Sequence, residues 1–173
     1  MEKVIETNKL TKRFGDFIAA NELTFDVKKG EIFGFLGANG AGKTTAMRML
    51  CGLSIPSSGK ATVAGYDVYT QTEEIKKSIG YMSQKFSLYE DLTVSENIRF
   101  YGGIYGMNRK DIRVKTDELL QTLGLEKEAK TLVSELPLGW KQKLAFSVSL
   151  VHQPRIVFLD EPTGGVDPVT RRQ

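Results

Sequence analysis

Several things are scarce in these 173 residues: cysteine and histidine each occur once, and no charge sign dominates. The lone thiol, Cys51, closes no internal disulfide, so the fold does not depend on an oxidising compartment and a cytosolic face is the natural reading. No apolar run approaches the ~18 residues of a membrane span, and Met1 to Glu6 lacks the apolar stretch of a signal peptide. If the protein works at a membrane, something else anchors it. The 24 basic and 21 acidic residues leave a net charge of +3, too balanced to argue for nucleic acid, while contact with a membrane surface stays open. No internal repeat, low-complexity tract or flexible linker interrupts the chain.

What is present reads as an ordinary globular domain: 40% apolar, 26% charged and long enough to bury a core. Val4 and Ile5, then Leu23, Phe25 and Val27 alternating with polar residues, predict half-buried strands ahead of Lys28-Lys29-Gly30. Ile32-Phe33-Gly34-Phe35-Leu36 predicts a strand covered on both faces. A glycine-rich turn follows, then a helix over Thr45 to Leu50 closed by Gly52. Ile79 to Met82 predicts another strand, and Thr93-Val94-Ser95-Glu96 offers a capping box for a helix through about Tyr101.

Helical spacings such as Val114, Leu119, Leu120 and Leu123, with turns at Gly106 and Gly124, mark residues 93–151 as a mostly helical insert. The sheet resumes at Ile156-Val157-Phe158-Leu159-Asp160, and Asp167-Pro168 has the form of a helix N-cap followed by proline.

Gly37-Ala38-Asn39-Gly40-Ala41-Gly42-Lys43-Thr44 matches G-x-x-x-x-G-K-[ST] in full. Glycines let successive N–H groups curl inward onto phosphate oxygens, and the helix that follows presents its positive dipole end to the same anion. Lys43 is then placed for the β- and γ-phosphates and the Thr44 hydroxyl for Mg²⁺. The complementary half of such a site is an acid ending a buried strand. Asp160 is that residue, and with Glu161 beside it one carboxylate serves the metal while the other holds the attacking water.

These motifs, in this order, resemble the ATP-binding cassette ATPases, and the resemblance covers essentially the whole chain. It implies an α/β fold: a P-loop NTPase core with a mixed sheet, an N-terminal antiparallel β subdomain and a helical insert. Residues 1–173 would form one cassette domain, with its core at about 1–92 and 152–173 and its helical subdomain at about 93–151. Phe14, in Arg13-Phe14-Gly15, matches the aromatic that stacks on adenine, although the residue type suits a core position equally. Asn39, Gly40, Ala41, Gly42, Lys43, Thr44 and Thr45 would bind the nucleotide. Gln84 matches the glutamine that touches metal and attacking water and reports their state to the transmembrane subunit, beside Thr44 and Asp160 on Mg²⁺.

Leu136-Pro137-Leu138-Gly139-Trp140-Lys141-Gln142-Lys143 stands where the family carries Leu-Ser-Gly-Gly-Gln. The match is degenerate: Gly139 is retained, while Pro137 replaces the serine that contacts ATP held by the opposite subunit. This looks like the variant in the second cassette of some bacterial drug-export ATPases, and a plain helix-start turn with Trp140 as packing is the alternative. Asp167, after Gly164-Gly165-Val166, matches the dimer-contacting loop. His152 precedes the catalytic strand and reads as a surface or packing residue, since the family's switch histidine lies on a later strand, which is expected beyond Gln173.

The resemblance implies an ATP-binding and ATP-hydrolysing part of an exporter on the cytoplasmic side of the cell membrane, with ATP and Mg²⁺. Its partners would be transmembrane permease subunits, received around Phe86 to Asp91, and a second cassette, identical or not; no nucleic acid is expected. Two other readings stand beside it: a nucleotide-binding module with little or no turnover, and a soluble relative acting on ribosomes or DNA.

Overall fold

The computed structural model describes residues 2–36, 40, 42–83 and 88–160. It divides into two compact units, Met1–Ile79 and Gly80–Gln173.

The first unit is built on a long antiparallel hairpin. Strand β1 (Lys3–Phe14) and strand β2 (Phe17–Lys28) are joined through Gly15 and Asp16, with Phe14 paired to Phe17. Gly15 takes φ 58°, the left-handed region that a two-residue hairpin turn demands. Shifts of register interrupt the ladder, and Thr11 repairs one of them: its hydroxyl accepts from Glu22 N–H at 2.9 Å and donates to the Lys9 carbonyl at 3.1 Å. Strand β3 (Ser58–Val63) pairs with the other edge of β1, and strand β4 (Tyr66–Asp67) pairs with β3, giving the order β2-β1-β3-β4. Ile5, Leu10, Ala61 and Val63 fill the buried side. Helix α1 (Lys43–Leu50) buries Ala46, Met49 and Leu50, and helix α2 (Thr72–Ser78) buries Ile75.

One expectation fails here. Residues 31–36 form no strand, Ile32 is 100% exposed and Leu36 96%. An apolar run of this length specifies a need for burial but not the surface that meets it. Both edges of β1 are occupied by β2 and β3, and no described strand pairs with the run. Its aromatic rings gather on β2 instead: Phe33 stacks on Phe25 at 5.0 Å between centroids, and Phe35 meets both rings edge-on at 5.2 and 5.3 Å.

The second unit follows the predicted order closely. Strand β5 (Ile79–Met82) and strand β6 (Ile156–Leu159) form a two-stranded sheet. Between them run helix α3 (Val94–Ile104), helix α4 (Arg109–Leu123), a short helical turn at Val133–Glu135 and helix α5 (Leu138–Ser149). The capping box at the start of α3 is formed: Glu96 N–H donates to Thr93 Oγ1 at 3.3 Å and Thr93 N–H to Glu96 Oε2 at 2.8 Å. That backbone donor holds the Glu96 carboxyl below its usual range. Gly124 ends α4 at φ 66°, as a left-handed cap.

Val94, Ile98, Leu120, Leu125, Val133, Leu144 and Val148 make the core, and full burial of each large aliphatic side chain contributes roughly 1.5–3 kcal/mol. Gly102 lets α3 approach α4, because a Cβ there would lie 2.9 Å from Ile112 Cγ1. His152 is a packing residue, its ring stacked on Tyr105 at 3.6 Å.

Candidate functional site

The start of α1 is where the phosphate-loop residues acquire geometry. Gly40 and Gly42 adopt φ 86° and 80°, both left-handed. A Cβ on Gly42 would also collide with the Ala19 carbonyl of β2, so neither the backbone angle nor the space admits another residue. Gly42 is the N-cap of α1, and no side chain caps the helix. The unfilled amide donors of a first turn are the element that binds an anion in water or in a site.

Lys43, Thr44 and Thr45 are the first three helical residues, with Lys43 and Thr45 half-buried and Thr44 exposed. The helix starts at Lys43, two residues earlier than its sequence pattern predicts. Its far end is a Schellman closure, in which Leu53 N–H reaches the Arg48 carbonyl at 2.9 Å and Gly52 N–H the Met49 carbonyl at 3.2 Å. Both ends of this eight-residue helix are therefore defined by glycine.

Phe14 lies in the same unit, at the last position of β1, and is 57% exposed. That exposure removes the core alternative and leaves a ring face open to solvent. Asn39 and Ala41 lie outside the described residues, as do Gln84, Glu161 and Asp167.

In the second unit, Asp160 directly follows β6 and its N–H donates to the Met82 carbonyl of β5 at 2.9 Å. The residue is only 4% exposed. Among the described residues its carboxylate makes no hydrogen bond and no ion pair. A carboxylate buried to this degree is costly to keep charged unless it is paired or meets a cation. The hard oxygen donors of this carboxylate are of the kind Mg²⁺ prefers, an ion that takes few protein ligands and fills its shell with phosphate and water.

Gly139 is the second residue of α5, and a Cβ added there would meet nothing within 4 Å. Pro137 is the N-cap, and it supplies no side-chain hydrogen bond. Trp140 packs against the core cluster, with Lys143 Nζ 5.2 Å from its ring centroid. Packing therefore accounts for the tryptophan, and no side chain caps the first turn of α5.

Asn97 and the Lys141–Glu90 pair were not legible as functional residues. Asn97 is fully buried on α3 and holds the segment before it: Nδ2 donates to the carbonyls of Tyr89 at 2.9 Å and Thr93 at 3.1 Å, and Oδ1 accepts from Tyr89 N–H at 2.9 Å. Lys141, in the first turn of α5, reaches Glu90 in the same segment at 2.8 Å. An asparagine inside an amphipathic helix pattern is the only signal that points to the first, and nothing local announces the second.

Next to this tethered segment, Tyr89 and Phe100 pack edge to face at 4.8 Å, and with Ile104 they expose 45%, 41% and 55% of their surface. Tyr101 lies beneath them, and burial, followed by the neighbouring phenols of Tyr89 and Tyr105, pushes its pKa up to about 12. Asn97→Ala should cost about 1–3 kcal/mol, because Tyr89 N–H and the carbonyls lose a partner that water does not replace inside the helix face. Urea unfolding of the variant measures it, and an unchanged midpoint contradicts this account.

Comparison with known proteins agrees with this geometry. The family model described as "ABC transporter" matches residues 20–164. The probable multidrug ABC transporter ATP-binding protein YbhF of Escherichia coli (strain K12) is 51% identical over 99% of this chain, which spans 30% of that protein. The bacitracin transport ATP-binding protein BcrA of Bacillus licheniformis is 41% identical over 98% of the chain and 54% of its own length. Among solved structures, an ATP binding subunit of an ABC transporter superposes with a TM-score of 0.85 at 27% identity, covering 98% of this chain and 70% of that one. A second, cbiO1 from Clostridium perfringens, part of the ABC transporter complex cbiONQ, gives 0.82 at 27% identity, covering 98% and 69%. The glycine-defined helix start, the acid after β6 and the helical region that separates them in sequence fit a P-loop ATPase, and the chain belongs to the ABC transporter family of ATP-binding domains.

Proposed function

We propose that this chain binds ATP with Mg²⁺ and hydrolyses it as the cytoplasmic motor part of an exporter. The observation that carries the reading is the start of α1, where Gly40 and Gly42 in left-handed backbone lead into an uncapped helix with Lys43 at its first position. The amide donors there hold phosphate oxygens, and Lys43 neutralises charge that develops on the transferring phosphoryl group. Phe14 supports the adenine.

Thr44, Asp160 and Gln84 are the residues that would hold Mg²⁺, which would supply charge neutralisation at phosphate oxygens. Glu161 accepts a proton from the attacking water. Gly139 and the first turn of α5 face the nucleotide of a second cassette, and Asp167 contacts that cassette. The exposed Tyr89, Phe100 and Ile104 beside the Asn97-tethered segment suit an apolar helix of a permease subunit. No helix among the described residues is long and apolar enough to cross a membrane. The names of YbhF and BcrA support export of a drug-like cargo.

A second reading has one specific observation behind it. Pro137 offers no hydroxyl where the family motif has serine, which favours a nucleotide-binding module with slow turnover.

Titration of the purified chain with fluorescent ATP tests the first statement: saturable binding is expected, and its absence from well-folded protein ends the proposal. Steady-state phosphate release then separates the two readings. Turnover that Glu161→Gln abolishes, with ATP binding intact, supports the motor; binding with no turnover in the parent chain supports the module.

A further inference from the structure

An aromatic platform at the tip of a hairpin supports a base only if something fixes its ring. Phe14 is the last residue of β1, followed at once by the left-handed Gly15, and a lysine ammonium lies over its ring. Lys12 lies two residues earlier and so shares its face of the strand. Its Nζ stands 5.1 Å from the Phe14 ring centroid and donates to the Ile55 carbonyl at 2.6 Å.

Ile55 belongs to the segment that leaves the Schellman closure of α1 and enters β3. The same segment is clasped to β1 on either side of Lys12: Ser57 N–H donates to the Thr11 carbonyl at 2.8 Å, and Arg13 N–H to Ser57 Oγ at 2.9 Å. The ammonium therefore joins two things, the plane of the exposed ring and the exit of the helix whose start carries the phosphate loop.

We infer that Lys12 is a positioning residue for the nucleotide base: it clamps one face of Phe14 against the Ile55 carbonyl, leaving the opposite face to stack on the purine of ATP. This rests on the nucleotide reading above and adds to it a residue that touches no phosphate. A cation over one face orients the ring through its quadrupole, and the hydrogen bond sets how far the platform stands from α1. Lysine suits this double contact, since its long stem spans the gap while the ammonium offers several donors.

Competition against fluorescent ATP, using the full chain, gives affinities for ATP and for inorganic tripolyphosphate, which has the phosphates without the base. Lys12→Met keeps the stem and loses the cation; it should weaken ATP by about 3- to 10-fold and leave tripolyphosphate unchanged. Lys12→Arg should recover ATP affinity to within about twofold, because guanidinium retains both contacts. Phe14→Ala should weaken ATP at least as much as Lys12→Met, and adding Lys12→Met to it should cost nothing further.

Equal losses for ATP and tripolyphosphate in Lys12→Met would overturn the inference, since the lysine would then act on the phosphates or the fold. Unchanged ATP affinity in that variant overturns it as well, as does an intact ATP affinity in Phe14→Ala. A parent chain that binds neither ligand sinks the underlying nucleotide reading instead, and the two failures are thereby distinct.

Discussion

Replacing Lys43 with alanine is expected to weaken ATP binding by roughly ten- to a hundred-fold, the loss of a charge-assisted contact worth about 1.5–3 kcal/mol. The lysine heads α1, where a positive charge opposes the helix macrodipole. Removing it should shift the unfolding midpoint of the nucleotide-free chain by no more than about 1 kcal/mol in either direction. The separation of the two effects is the informative part. A large loss of affinity with intact stability identifies Lys43 as a ligand-facing charge, whereas undiminished ATP binding removes the basis for the whole functional reading. Saturation with fluorescent nucleotide and urea unfolding, run on the same preparation, give both quantities.

Asp160→Asn should move stability and activity in opposite directions. Asp160 is 4% exposed, and its carboxylate has no hydrogen bond or ion pair among the described residues. Burying such a charge without a cation costs free energy that a neutral amide of the same size does not. The nucleotide-free variant is therefore expected to be more stable than the parent by about 1 kcal/mol or more. With Mg²⁺ and ATP the order reverses: the parent gains stability from the ligand by mass action, and the variant gains far less. Phosphate release should fall about a hundred-fold or more, the scale seen when one charge-stabilising group is lost from such a site. A variant that is destabilised without nucleotide would show that the carboxylate has a structural partner, and one with normal turnover would remove Asp160 from the site.

The second unit was the more legible of the two because its signals are local. A capping box is written in four consecutive residues, Thr93 to Glu96, and forms as expected, while the turn expected at Gly124 is the left-handed cap of α4. Strands β5 and β6 were recognised as short apolar runs bounded by polar residues, and Asp160 as the acid that closes the second. Periodicity also placed the helical region, although α3 continues to Ile104, three residues past its predicted end, because Gly102 and Gly103 weaken the helical signal there without breaking the helix.

Residues 31–36 show the limit of the same reasoning. Their apolar composition predicts burial on two faces, yet burial needs a neighbour, and composition does not name one. The rings of Phe33 and Phe35 instead found Phe25, a contact made through space across the turn after β2. Lys12 illustrates a different blind spot. Ile55, Ser57 and β1 are some forty residues apart in the chain, and only the antiparallel pairing of β1 with β3 brings them side by side.

By itself the sequence determined the class of chemistry. Gly37 to Thr44 match a phosphate-loop pattern in full and Asp160 is an acid at the end of an apolar run; these are local properties, carried by residue type and spacing. Only the tertiary structure decided which polar groups have partners. It left Phe14 exposed rather than in the core, buried Asp160 at the end of β6, tied Asn97 to the backbone of Tyr89 and set Lys12 between a ring and a distant carbonyl. The reason is physical: burial and pairing are properties of two surfaces that meet, and a sequence pattern describes only one of them.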